Sequence, residues 1–302
     1  MRPLVLCPGD PDGIGPEVAA SAVAGSELDV VLIGHAQAVS RAHPRVRRVE
    51  HLRVPREPGV LRVWEPPPGE PVELAAVRLG VELCRSGLAR ALVTGPIHKA
   101  KLAERGFVHP GHTEFLGELC GVPEPVMAFE GGVFRVALVT VHLALRDVPA
   151  AVTRTRVLNV IKVAHQALVE QLGLSRPRLM VTGLNPHAGE SGRLGREEID
   201  EIAPAVADAR GLGIDVMGPI SAETAFTRPG AADLIVAMYH DQGLVPLKRG
   251  DFGRLVNWTL GLPIIRTSVD HGTAYELVGT GSARPDSMCA ALDLAHRLSA
   301  RG

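Results

Sequence analysis

The sequence predicts an α/β fold. Short apolar runs alternate with longer amphipathic stretches through all 302 residues, the pattern of βαβ units and a largely parallel sheet. The 33 Gly and 24 Pro residues lie between those segments and not in tracts, which argues for ordered turns and against a disordered chain. At about 150 residues per domain, the length allows two domains.

The apolar runs place strands at 4–6, 30–33, 91–93, 136–141, 179–182, 234–238 and 264–266. Helical periodicity falls at 17–24, 72–85, 153–172, 197–209 and 286–300. Pro16 suits the first turn of the first helix and Gly173 the end of the third. The segment 41–69 is rich in Arg and Pro and poorly periodic, and reads as irregular surface structure; Glu65 to Gly69 is a turn or short rigid linker. No composition break marks a domain boundary.

Composition excludes several function classes. Lys plus Arg number 32 against 33 Asp plus Glu, so no net field draws the chain to nucleic acid or an anionic membrane. No apolar run approaches the ~18 residues of a membrane span, and the N-terminus lacks the apolar core of a signal peptide. Cys7, Cys84, Cys120 and Cys289 are widely spaced without a C-x-x-C pair, as in a reduced, cytoplasmic protein.

Five segments carry polar chemistry at strand ends, where ligands collect in open α/β sheets. The first, Pro8-Gly9-Asp10-Pro11-Asp12-Gly13-Ile14-Gly15-Pro16-Glu17, joins a strand to a helix N-terminus with free N–H groups. It lacks the G-x-G-x-x-G dinucleotide fingerprint, and a tight strand–helix turn explains it equally. The second region holds Thr94-Gly95-Pro96-Ile97-His98-Lys99 and a polar helix start, His109-Pro110-Gly111-His112-Thr113-Glu114. There His112 or Thr113 is placed to hold a phosphate or hydroxyl, although each alone also reads as a capped helix start.

The third is a set of histidines, His142, His187 and His240, each following an apolar strand. One such histidine is ordinarily structural. Three fit a His₃ metal site with an open position, where a metal would polarise a substrate hydroxyl or carbonyl and Asp241 would support His240. The fourth comprises Lys248, Asn257 and Arg266, suited to clamping a phosphate or carboxylate, with surface charge as the plain alternative for Lys248. The fifth, Ser268-Val269-Asp270-His271-Gly272-Thr273-Ala274, is a polar Gly-containing loop able to wrap a nucleotide without a Rossmann fold, or simply a long connection.

In this order, PGD, TGPIHK (94–99), GHTEFLG (111–117), GLNPHAGE (183–190), AMYHDQGL (237–244), VNWTLGLP (256–263) and IRTSVDHGTA (265–274) cover nearly the whole chain. The ordered set resembles the PdxA family of pyridoxal phosphate biosynthesis. Its GIGPE turn and HGTA loop are also similar to the wider isocitrate and isopropylmalate dehydrogenase superfamily. The resemblance implies two α/β/α domains of that superfamily's fold with the active site in the interdomain cleft. Residues 1–125 plus 258–302 would form a terminal domain with the nucleotide loop. Residues 126–257 would form a central domain with the metal site and dimer interface.

The resemblance further implies a homodimer whose active sites are shared between subunits. It assigns His142, His187 and His240 to one divalent metal (zinc, cobalt or magnesium). His112, Thr113, Lys248, Asn257 and Arg266 would bind substrate, and His271, Gly272, Thr273 and Ala274 would bind NAD or NADP. The implied reaction is oxidation of 4-phosphooxy-L-threonine followed by decarboxylation, with Lys248 and Asp241 as acid–base candidates. Asp12, Cys7 and Glu223 stand where the family commonly has Ala, Thr and Asp. Two alternatives stand beside this reading: a dehydrogenase of another phosphorylated four-carbon hydroxy acid, such as 4-phosphoerythronate or phosphothreonate, and a His₃ metallohydrolase that needs no nucleotide.

Overall fold

The computed structural model describes residues 2–250 and 253–300. The chain divides into two compact units, Met1–Pro125 with Leu262–Gly302, and Val126–Gly261. Each is an α/β arrangement.

The first unit contains β1 (Leu4–Cys7), β2 (Val30–Ile33), β3 (Val46–Arg48), β4 (Leu61–Trp64), β5 (Leu92–Thr94) and, after the chain returns, β12 (Arg266–Val269). They lie in the order β3-β4-β2-β1-β5-β12, and every pairing is parallel. β1, β2 and β5 are buried along their whole length, as parallel strands covered on both faces must be. One face carries Val5, Cys7, Ile33 and Leu92 against Leu74, Val77 and Val81 of α3 (Val72–Arg85), and against Phe115 and Leu116 of α5 (His112–Cys120). Side chains alternate along a strand, so Leu4 and Leu6 face the opposite way. This unit also contains α1 (Gly15–Ala24), α2 (Ala36–Ala42), α4 (Lys99–Ala103) and α11 (Asp286–Ser299).

The second unit contains β6 (Val126–Gly131), β7 (Phe134–Leu138), β8 (Arg178–Thr182), β9 (Asp215–Ile220), β10 (Leu234–Ala237) and β11 (Val256–Leu260), in the order β11-β6-β7-β10-β8-β9. β11, β6 and β7 pair antiparallel, whereas β7, β10, β8 and β9 pair parallel. Its helices are α6 (Val148–Ala151), α7 (Arg154–Glu170), α8 (Ala203–Gly211), α9 (Ala222–Phe226) and α10 (His240–Gly250). Its core joins Phe129, Val136, Leu138, Met180 and Ile235 to Leu244 and Leu247 of α10. Among the described residues, no helix is long and apolar enough to cross a membrane.

Four expectations are corrected. A largely parallel sheet holds for the first unit, while the second is mixed because β6 and β7 form a hairpin. The segment 41–69 is not wholly irregular: it contains β3 and β4. A buried arginine hid β4. The Arg62 guanidinium pairs with Asp29 and donates to the carbonyls of Val30 (2.9 Å) and Val54 (2.6 Å), so a charged residue sits where an apolar one was expected. Arg266 starts its strand and does not end one. β12 reads Arg-Thr-Ser-Val, and its polar groups are satisfied internally, with Thr267 donating to the Ala291 carbonyl at 2.8 Å. Lys248 lies on α10, where the periodicity predicts no helix; Gly243 and Pro246 inside that helix disguise it.

Candidate active site

The sequence after β12 folds back on the sequence after β1. Ile14 N–H donates to the Thr273 carbonyl at 2.9 Å. A side chain on Gly13 would begin 2.9 Å from that same oxygen, so only glycine permits this approach. The next residue, Ala274, is held left-handed at φ 42, an uncommon state for a residue with a Cβ. It turns Tyr275 so that its hydroxyl donates to Asp10 Oδ2 at 2.5 Å. Asp10 is fully buried, and its other oxygen accepts from Asp12 N–H (2.9 Å) and from Lys101 Nζ (3.2 Å).

Burial alone would raise the Asp10 pKa. The hydrogen bonds from Tyr275, the Asp12 backbone and Lys101 outweigh it and bring the group below the ordinary carboxylate range. Tyr275 responds in the opposite sense, pushed up to about 12 by partial burial and by the Asp10 carboxylate. Asp12 takes a 2.5 Å bond from Lys101. The Tyr275 ring lies 5.4 Å from that of His98, bringing the TGPIHK segment into the same cluster. His271 directs Nδ1 at the Gly272 carbonyl (2.9 Å), which makes Nδ1 the donor and Nε2 an acceptor in the neutral ring.

Cationic groups gather where β5 and β12 meet the start of α5. Thr94, at the end of β5, accepts from Arg266 Nε (3.2 Å) and Nη2 (2.7 Å) in the adjacent strand. Arg266 is 2% exposed. Burial lowers its pKa to about 10, which leaves the guanidinium charged near neutrality. His112 and the buried Thr113 open α5, whose first N–H groups favour an anion. The Lys99 ammonium packs at that terminus, 3.3 Å from where a Gly111 side chain would begin. Burial first, then Arg266 and Lys99, drives the His112 pKa down to about 3, so its ring is neutral at ordinary pH. Among the described residues, two buried side-chain nitrogens lack a hydrogen-bond partner, and both are on these motif histidines: His112 Nε2 and His271 Nε2. Such atoms are costly unless a ligand satisfies them.

The strand-end histidines lie in the second unit. The rings of His142 and His240 are 5.8 Å apart. Two imidazoles on one tetrahedral ion have centroids roughly 5 Å apart, so this pair suits a shared metal. His240 Nδ1 contacts Asp241 Oδ1 at 2.7 Å, which fixes the tautomer that presents Nε2 as a ligand. His187 does not join them: among the described residues, no group of three His, Cys, Asp or Glu side chains is placed to hold a metal.

His187 instead opens a run of five left-handed residues, His187, Ala188, Gly189, Glu190 and Ser191, at φ 52, 51, 78, 43 and 59. Left-handed backbone costs about 1–2 kcal/mol for each residue bearing a Cβ, and such strain gathers at functional sites. Glu223 Oε1 stands 3.5 Å from His187 Nδ1. Lys248 and Asn257 also belong to the second unit, Lys248 exposed on α10 and Asn257 half-buried on β11 opposite Phe129.

A family model described as pyridoxal phosphate biosynthetic protein PdxA matches residues 16–295. The chain belongs to the PdxA family. A PdxA relative from Caulobacter vibrioides, named 4-hydroxythreonine-4-phosphate dehydrogenase, is 44% identical over 99% of this chain and 98% of its own. A relative of the same name from Aromatoleum aromaticum is 45% identical over 97% and 95%. The crystal structure of 4-hydroxythreonine-4-phosphate dehydrogenase from Klebsiella pneumoniae superposes with a TM-score of 0.91 at 35% identity, covering 99% of this chain and 100% of that one. A terephthalate 1,2-cis-dihydrodiol dehydrogenase from Burkholderia xenovorans superposes at 0.70 with 28% identity, covering 98% of each chain.

The structure also exposes residues that the sequence reading passed over. Gln242 ties the His240 turn to the base of the His187 loop: Oε1 accepts from Met238 N–H (2.7 Å) and from Thr182 Oγ1 (2.9 Å), and Nε2 donates to the Gly183 carbonyl (2.8 Å). Asp10, Thr94 and Lys99 lie inside motifs visible in the sequence, but their contacts form only in the fold. Tyr275 and Lys101 carried no signal, because their partners are remote in sequence.

Proposed function

We propose that the chain oxidises 4-phosphooxy-L-threonine with NAD or NADP and that loss of CO₂ follows, giving 3-amino-2-oxopropyl phosphate for pyridoxal 5′-phosphate (vitamin B6) synthesis. The observation that carries this reading is the pair of orphaned nitrogens, His112 Nε2 in the cationic pocket and His271 Nε2 in the HGTA loop. One lies where a phosphate would bind, the other where a nucleotide would.

Arg266, Lys99 and the α5 terminus bind the anionic end of the substrate, and neutral His112 and Thr113 add directional hydrogen bonds. Tyr275 and Asp10 hold the loop that receives the dinucleotide, which sets the angle of approach to the substrate carbon. His142, His240 and His187 hold the divalent ion, with zinc, cobalt or magnesium compatible with the donor set. When bound, that ion would lower the pKa of the substrate hydroxyl and steady charge during decarboxylation, and the nicotinamide would supply the hydride acceptor. Lys248 and Asp241 are the groups available to move protons, and Asn257 completes the polar lining.

His142 and His240 gather without His187, which supports a site completed by a second subunit. Exposed apolar side chains on the second unit support the same dimer: Leu143 and Leu145 beyond His142, Leu194 and Ile199 beyond the His187 loop, and Val245 on α10. With Glu223 and Asp12 departing from the common family residues, a panel of phosphorylated four-carbon hydroxy acids tests the substrate. The reading requires 4-phosphooxy-L-threonine to give the highest kcat/KM, with NAD(P)H and CO₂ formed in equal amounts. A higher value on 4-phosphoerythronate or phosphothreonate would move the assignment within the family.

A further inference from the structure

We infer that Glu198 is a positioning residue for the metal site, acting through the left-handed turn that carries His187. This rests on the reading of His187 as a metal ligand. Glu198 is 3% exposed and sits in a π-type turn, Glu198–Ile202, that leads into α8. Turns of that kind recur at functional sites. Its Oε1 accepts from the backbone N–H groups of both Leu184 and Asn185 at 2.7 Å. Its Oε2 accepts from Asn185 Nδ2 at 3.0 Å, and the same amide donates to Glu197 Oε2 at 2.7 Å. A side chain on Gly189 would begin 2.5 Å from Glu198 Oε2, so the turn closes directly over this carboxylate.

The consequence is mechanical. Five consecutive left-handed residues do not hold themselves, since the four that bear a Cβ favour another conformation. Glu198 fixes the two amides that enter the turn and the floor beneath its middle. Gln242 fixes the carbonyl of Gly183 just before it. His187 is thus presented from a backbone set by a buried carboxylate 11 residues further along the chain. Glutamine at 198 keeps an oxygen for Leu184 and Asn185, but sets an NH₂ group against the Asn185 NH₂. Rotating the Asn185 amide would then oppose its oxygen to Glu197. Alanine removes every contact.

The test titrates metal-stripped full-length protein with Co²⁺, followed by its visible absorption, for wild type, Glu198→Ala, Glu198→Gln and His187→Ala, with hydrogen exchange over residues 183–195. We expect Glu198→Ala to lose roughly 10–100-fold in Co²⁺ affinity and to gain exchange in that segment, with Glu198→Gln intermediate. At saturating Co²⁺, Glu198→Gln regains most of its kcat, as a positioning role requires, whereas His187→Ala does not. Should Glu198→Ala fail to fold, Glu198→Gln carries the same comparison. The inference is overturned if His187→Ala loses affinity while the folded Glu198 variants bind Co²⁺ like wild type with unchanged exchange. Undiminished affinity in His187→Ala overturns the ligand reading and the inference together.

Discussion

Tyr275 donates its hydroxyl to the fully buried carboxylate of Asp10 at 2.5 Å, closing the HGTA loop onto the turn that follows β1. The bond joins residues 265 positions apart. It makes the HGTA loop depend on a carboxylate that solvent does not reach.

Removing that hydroxyl therefore affects the dinucleotide first. Tyr275→Phe keeps the ring beside His98 and loses the hydroxyl's bonds to Asp10 and to the Thr273 side chain. A hydrogen bond to a charged group contributes about 1.5–3 kcal/mol, so KM for NAD(P) is expected to rise on the order of tenfold or more. KM for the phosphorylated substrate is expected to change by less than about threefold. Steady-state kinetics with each substrate varied in turn checks this.

Arg266→Lys tests the cationic pocket. Lysine supplies charge but not the planar fork that reaches Thr94 Oγ1 with two nitrogens. KM for the phosphorylated substrate should rise by roughly 10–100-fold, with KM for the dinucleotide little changed. Equal losses on both substrates would mean that Arg266 supports the fold and not the pocket.

His112 gives a pH dependence of definite sign. Its pKa is about 3 in the folded chain against an ordinary value of 6.5. Below pH 6.5 the unfolded chain takes up a proton that the folded chain refuses. This contribution to stability is complete above pH 6.5 and is lost progressively as the pH falls toward 3. The loss reaches up to about 1.4 kcal/mol per pH unit. Thermal melts from pH 7 to 4.5 should show a steeper fall for wild type than for His112→Asn, and parallel curves would contradict the neutral buried ring.

Asp241 fixes the tautomer of His240. Asp241→Asn should lower metal affinity about 10–100-fold, since the partners that orient metal-binding histidines have effects of that size. A chelator should abolish wild-type turnover, and added divalent ion should restore it. Retained activity after complete chelation would remove the metal from the account.

The sequence was most legible where chemistry and local structure coincide. His112 and Thr113 open a helix after a polar turn, and the His271–Ala274 loop follows a strand, so type and place point the same way. Glu198 bonds Asn185 13 positions away, Gln242 bonds Gly183 59 positions away and Tyr275 bonds Asp10 265 positions away, and no local pattern reports such partners. Arg62 shows the same limit in the fold: its guanidinium is satisfied by Asp29, Val30 and Val54, contacts that exist only after folding. The strands 4–6 and 30–33 were visible because both faces are covered, whereas β12 satisfies its polar side chains internally and lost its apolar signature.

In the proposed function, the His112 and His271 motifs serve one NAD(P)-dependent oxidation of a phosphorylated hydroxy acid. The most direct measurement is formation of reduced nicotinamide by the metal-loaded protein with 4-phosphooxy-L-threonine, run alongside His112→Ala and His271→Ala. The expected result is turnover with release of CO₂, a KM for the phosphorylated substrate that rises in His112→Ala, and a KM for the dinucleotide that rises in His271→Ala. No NAD(P)-dependent turnover of any phosphorylated four-carbon hydroxy acid by the folded, metal-loaded protein would contradict it.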